Sequence, residues 1–405
     1  MRASVKWVVL VGAFVAYLFD ALEILLLSFA LPAIRTEFGL TTAQGGLLAT
    51  ATLLGIGVSS VTVGWFADNY GRKRALLASL AVFGIFTAAL PLVPNFTVFL
   101  VLRFVAGLGL GGVWGAVSTY VVETWPAAQR GRAAAFVLSS FPIGGALAAL
   151  LAGALLPNWR LLFFLAGVGV VVPLLIVGLF FGESAEWAAQ KSTPVKVAEI
   201  FSPELRRRTL LGTAVAGLAL FGWWGASTWL PTYLHTDRGI PTATVALFMT
   251  VLNLGMFVGY NVFGLIADRI GRKYALILCL IGVSVTLPLY VVAAGRTTLF
   301  WLGPLFAFFA AFSGIFGAYL GELFPTRVRA TGAGFCFNIG RGVSAFAPFA
   351  LGALAAGTGL GTGLVICAGF FLCAAFVMSF LPNLRSAAPV PATPMAKAPV
   401  PTLST

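Results

Sequence analysis

"GWFADNYGRKRALL" at residues 64–77 and "GLIADRIGRKYALI" at 264–277 share Gly, Ala, Asp, Gly, Arg, Lys, Ala and Leu at matched positions, 200 residues apart in a chain of 405. A second pair, "YVVETWPAAQRGRAAAF" at 120–136 and "YLGELFPTRVRATGAGF" at 319–335, shares Tyr, Glu, Pro, Arg and Phe. Repeats at half the chain length predict two similar halves, with function to be sought between them.

Composition sets the environment of those halves. The chain is 60% hydrophobic and only 9% charged, far from the balance of a water-soluble domain. A helix needs roughly 20 apolar residues to span a hydrocarbon core. The sequence offers twelve such runs, near 7–30, 43–66, 75–94, 97–123, 133–155, 161–182, 209–231, 243–266, 275–293, 298–323, 332–355 and 361–381. The expected fold is therefore an all-α membrane protein of two six-helix halves, 1–182 and 209–381. A cytoplasmic linker at 183–208 joins them, and a disordered Pro- and Ala-rich tail follows at 382–405.

Charge gives the orientation, because Lys and Arg accumulate in cytoplasmic loops. With both termini inside, 19 of the 25 Lys and Arg fall on the cytoplasmic side, and only Arg35, Arg160, Arg238 and Arg296 fall outside. The net charge of +13 is thus mostly topological. Short basic clusters between apolar runs make no foldable basic face, so nucleic acid is not an expected partner. The N-terminal run is not expected to be a cleaved signal, since Asp20 and Glu23 interrupt it and no small-residue cleavage site closes it.

Several chemistries drop out. No Walker-type loop is present, and the single histidine, His235, has no partners for a metal or a triad. Cys279, Cys336, Cys367 and Cys373 fall in or beside apolar runs without ligand spacing. "GLGLGG" at 107–112 mimics a dinucleotide fingerprint, but no strand precedes it. Its glycines continue to Gly115 at a spacing of four, which suits close packing of membrane helices. No enzymatic activity and no cofactor are expected.

The doubled loops resemble the signature of the major facilitator superfamily, a Gly, an Asp and a Gly-Arg-Lys cluster between the second and third helix of each half. The matches are Gly64, Asp68, Gly71, Arg72 and Lys73, and again Gly264, Asp268, Gly271, Arg272 and Lys273. In that family these positions latch the cytoplasmic side shut while the outer side is open. The resemblance therefore implies a gate of Asp68, Arg72, Glu123 and Arg130 with counterparts Asp268, Arg272, Glu322 and Arg329. "LFDALEILLLSFALPAI", "GLGLGGVWGAVSTYVVETWP", "FGESAEW" and "GFCFNIGRGVSAFAP" are similar to the proton-coupled carboxylate carriers, the sialate:proton and aromatic-acid:proton symporters.

Buried charge argues independently. Asp20, Glu23, Arg103 and Arg341 lie inside the apolar runs, where an unpaired charge facing lipid costs several kcal/mol. They are expected to face a central cavity. Asp20 and Glu23, three apart, are placed with Arg103 in proton coupling. Arg341 is expected to hold a substrate carboxylate with its planar fork of donors, and Arg103 is the competing candidate. Asn338, Trp224, Tyr260 and Asn253 are the accompanying substrate candidates, with Trp223, Thr228, Tyr233 and Asn261 nearby.

The expected function is proton-coupled uptake of a small organic acid, a monocarboxylate or an aromatic acid, by a monomer in a bacterial inner membrane. A drug:proton antiporter of the same fold is the alternative. Its fifth-helix signature fits badly, because Phe141 precedes Pro142 and one residue is missing before Gly144. A membrane sensor is the third reading, but the longest polar link, 183–208, is too short for a signalling domain.

Overall fold

In a computed structural model, the structure describes residues 3–125, 129–183, 197–325 and 328–383. Beyond those limits lie half of the 183–208 linker and nearly all of the 382–405 tail. The side chains of some helical residues, Asp68, Glu123 and Arg130 among them, are also outside the described residues.

The described residues are helical with no strand. Eleven helices are long and apolar enough to cross a membrane. A further 29-residue helix, Thr42–Tyr70, occupies the place expected for the second span. The first and seventh spans, Ala3–Phe38 and Arg206–Thr236, run well past the lengths read from sequence. Large apolar side chains such as Leu92 and Leu179, 83% and 72% exposed, face outward as a lipid-contacting surface requires.

The fifth, sixth and eleventh spans are each interrupted, at Ser139, Val170 and Ala345–Phe346. Each break falls two or three residues before a proline: Pro142, Pro173 and Pro348. A proline ring clashes with the carbonyl four residues back and supplies no N–H to it, so the helix bends there. Serine hydroxyls take up carbonyls beside two of the breaks. Ser139 and Ser140 bond Phe136 and Val137 at 2.7 Å each, and Ser344 bonds Arg341 at 2.8 Å.

The repeat is visible in hydrogen bonds as well as in letters. Tyr120 donates to the Gly182 carbonyl at 2.9 Å, and Tyr319 to the Pro382 carbonyl at 2.7 Å. Lys73 donates to Gly178 at 2.8 Å, and Lys273 to Ser379 at 2.7 Å. At the outer ends, Glu37 accepts from the Trp159 indole at 2.6 Å while Asp237 accepts from the Leu360 amide at 3.2 Å. Gly71 and Gly271, which join the second to the third helix and the eighth to the ninth, have φ of 104° and 89°. Only glycine adopts that backbone without strain, which is why both copies of the loop carry it.

Gly107 and Gly111 of the fourth span press against the backbone of the second, as the four-residue spacing predicts. Gly115 departs from that expectation and lines an open cavity.

Candidate functional site: a cavity between the two sets of helices

The outer ends of the two sets of spans are closed against each other. Gly46 of the second span abuts the Pro348 carbonyl of the eleventh, and Gly352 abuts the Thr42 carbonyl. Trp229, fully buried, donates to the Pro348 carbonyl at 2.9 Å, and the Arg35 guanidinium lies 5.9 Å from its ring centre. The fifth and eighth spans meet where Gly153 abuts Ala246 and Gly145 abuts Asn253. A crevice of about 400 Å³ remains outside this closure, bordered by Glu37, Trp159 and His235.

Inside the closure lies a cavity of about 400 Å³ lined from both sets of spans, reaching Ser118, Leu320 and Ala333 near the cytoplasmic ends. On the charge-derived orientation the structure is closed outside and open inside. The walls are mainly aromatic: Tyr17, Trp114, Phe141, Trp223, Trp224, Tyr260 and Phe337. Tyr17 packs on Trp114 at 4.8 Å and on Phe141 at 6.1 Å between ring centres. Tyr260 is hydrogen-bonded to Ser313.

Arg341 lines this cavity with Asn338, and its guanidinium lies 5.9 Å from the Phe337 ring centre. It sits in the last turn of the helix Arg329–Ser344. The free carbonyls of that helix end favour a cation, which helps an arginine reside at mid-membrane. Among the described residues it makes no ion pair. Asp20, one helical turn beyond Tyr17, is 2% exposed and within electrostatic range of Arg341. Its Oδ1 has no hydrogen-bond partner.

Of the four charges expected to face the central cavity, only Arg341 lines it; Asp20 is buried behind the wall, and Glu23 and Arg103 turn elsewhere. Glu23 and Arg103 are bonded to each other at 2.5 Å, both almost fully buried. Thr87 donates to Glu23 at 2.9 Å, and Arg103 Nε donates to Thr52 at 2.9 Å. This internal network belongs to the first four spans, and neither residue lines the large cavity. Asn253 does not line the large cavity but borders a separate small one with Trp223 and Ser227. It satisfies its own helix by donating to the Met249 carbonyl at 2.8 Å and packs at the fifth–eighth contact. Asn261 is exposed and Tyr233 is tied to the Val291 carbonyl at 3.0 Å, so neither reaches the cavity.

Of the gate residues, Arg272 is ion-paired with Glu322, a contact within the C-terminal set of spans. Asp268 and Arg329 are exposed beside it. Arg72 and Lys73 present backbone amides to the Glu183 carboxylate at 2.7 and 3.2 Å. The expected bonds across the two halves at this end therefore do not include Arg272 and Glu322, which hold one half together. The readings on Asp68, Glu123 and Arg130 fall on side chains outside the described residues.

Sequence reasoning missed Tyr17, Trp114 and Phe141. The signal for Tyr17 was present, since it stands three residues before Asp20 on the same stretch of helix.

A membrane-embedded helical protein with a polar, aromatic-walled cavity between two repeated helix sets, closed at one end and open at the other, is a carrier. This chain belongs to the Major Facilitator Superfamily, whose family profile matches residues 9–335. It is 33% identical to the cis,cis-muconate transport protein of Acinetobacter baylyi, over 91% of this chain and 92% of that protein. It is 29% identical to the sialic acid transporter NanX of Escherichia coli, covering 88% of this chain and 89% of the relative. In fold it resembles the partially occluded inward-open xylose transporter XylE from E. coli, with a TM-score of 0.81 at 16% identity, covering 95% of this chain and 100% of that one.

Proposed function

We propose that this carrier takes up a small organic acid together with a proton by alternating access, the halves 1–182 and 209–381 rocking about the central cavity. The observation that carries the reading is the arrangement of Arg341 and Asp20: among the described residues, an arginine without an ion pair in the cavity wall, and a buried carboxylate with a free oxygen behind it. A guanidinium offers a carboxylate two parallel hydrogen bonds, and the aromatic walls suit an apolar body. The muconate and sialic acid relatives are named for carboxylic acids, which accords with this choice. A cationic drug would meet the Arg341 charge, which disfavours the antiporter reading.

If one proton enters with one monovalent anion, no net charge crosses and voltage contributes nothing. The pH gradient then supplies about 1.4 kcal/mol per unit. Uptake of labelled carboxylates into proteoliposomes tests this directly. An inward pH gradient at zero potential should drive accumulation. Rapid accumulation under a valinomycin-clamped potential at equal pH would overturn the one-to-one stoichiometry, and no acid uptake under either gradient would overturn the reading itself.

A further inference from the structure

Trp224 stands between two cavities. One face lines the large cavity with Arg341, and the residue also borders a second, small cavity of about 10 Å³ shared with Ser28, Thr52, Arg103 and Thr228. Among the described residues, two donors of residues bordering that small space have no partner: Arg103 Nη2 and the Trp224 indole Nε1. Arg103 is 0% exposed and Trp224 5% exposed. Buried polar groups in folded proteins are paired almost without exception, so orphaned donors on two residues that share one cavity point to a missing acceptor.

Size and charge decide which acceptor. About 10 Å³ is the room that one water-sized oxygen needs, and it is too small for the two oxygens of a carboxylate. The Arg103 charge is already balanced by Glu23 at 2.5 Å, so a second anion would face the Glu23 carboxylate without a free cation to offset it. An uncharged oxygen meets both conditions. It accepts from Arg103 and Trp224 while Arg103 keeps its bonds to Glu23 and Thr52.

We infer that the small cavity behind Trp224 is a specificity subsite for a single uncharged acceptor oxygen, a hydroxyl or a carbonyl, on the body of the transported acid. The inference rests on the organic-acid reading above. The carboxylate is held at Arg341 and the aromatic or apolar body lies along the wall at Trp224. The oxygen supplies the acceptor that both donors lack. A site built to bond an oxygen discriminates more strongly than an apolar pocket does, because an analogue lacking the oxygen leaves both donors buried and unpaired.

The test compares benzoate with its 3- and 4-hydroxy and 3- and 4-methyl derivatives, by binding to the purified carrier in detergent. The hydroxy acid of the better-fitting isomer is expected to bind about tenfold or more tightly than its methyl counterpart, the range for a buried hydrogen bond lost. Trp224→Phe keeps a ring and removes the N–H, and Thr228→Val keeps the shape and removes one hydroxyl from the cavity wall. Both should shrink the hydroxy-to-methyl ratio towards one. Arg103→Lys is the harsher variant, and Trp224→Phe keeps the test decisive where it fails to fold. Equal binding of hydroxy and methyl acids to wild type, or a ratio untouched in Trp224→Phe, overturns the subsite while leaving acid transport standing. Binding of no benzoate and no other carboxylate by wild type overturns both readings together.

Discussion

Gly46 meets the Pro348 carbonyl backbone to backbone, so the second and eleventh spans close the outer end with no side chain between them. A Cβ at Gly46 would overlap that carbonyl, and backbone cannot step aside as a flexible side chain can.

Gly46→Val is therefore expected to weaken the outer closure and shift the carrier towards its outward-open state. Thr228, 3% exposed beneath the closure, provides the reporter. In a background with the exposed Cys373 replaced by Ser, a Thr228→Cys thiol should react slowly with an external membrane-impermeant maleimide. Adding Gly46→Val should speed the reaction about tenfold, equivalent to a shift of about 1.4 kcal/mol between the two states. An unchanged labelling rate would mean that the second–eleventh contact does not control opening.

The buried pair of Glu23 and Arg103 makes a different kind of prediction. Removing one partner leaves an uncompensated buried charge, which costs about 3–5 kcal/mol, whereas replacing both can be close to neutral. Arg103→Met should lower the thermal stability of the purified protein markedly, and adding Glu23→Gln should restore much of it. If Glu23→Gln gives no recovery, the pair does not act as the structural unit seen here.

Much of the architecture was legible because membrane burial writes itself into composition and because the loops are doubled. The place of Arg341 was legible for the same reason, as a cation inside an apolar run is expensive and must face something polar. The partition between Asp20 and Glu23 was not. Residues three apart share a broad helical face, yet they differ by about 60° around the axis. At the seam between neighbours that angle sends Glu23 to Thr87 and Arg103 and leaves Asp20 towards Arg341. Asn253 misled for another reason, since an amide can satisfy itself on its own helix and then pack as an ordinary interface residue.

Asp20 is expected to carry the transported proton, because its buried Oδ1 has no partner and the nearby cation is the one assigned to substrate. Asp20→Asn should abolish pH-driven accumulation while sparing exchange of substrate across the bilayer, since exchange need not release the proton. Counterflow and net uptake measured on the same proteoliposomes separate the two. An Asp20→Asn carrier that still concentrates substrate would remove Asp20 from coupling.

Arg341 is expected to hold the substrate carboxylate. It lines the cavity without an ion pair among the described residues, while Arg103, the competing candidate, is already committed to Glu23 and Thr52. The fork of a guanidinium matches a carboxylate at two points, and a lysine offers one compact charge that cannot reproduce both. Arg341→Lys should therefore lose about 2 kcal/mol of affinity for the acid, in the range for hydrogen bonds to charged groups. The same substitution should barely change binding of the corresponding amide, which carries no charge for the guanidinium to meet. Calorimetry with the acid and amide pair on both proteins gives the comparison. Equal acid affinities for wild type and Arg341→Lys, together with a loss in Arg103→Lys, would move the carboxylate to Arg103 and reverse the polarity of substrate in the cavity.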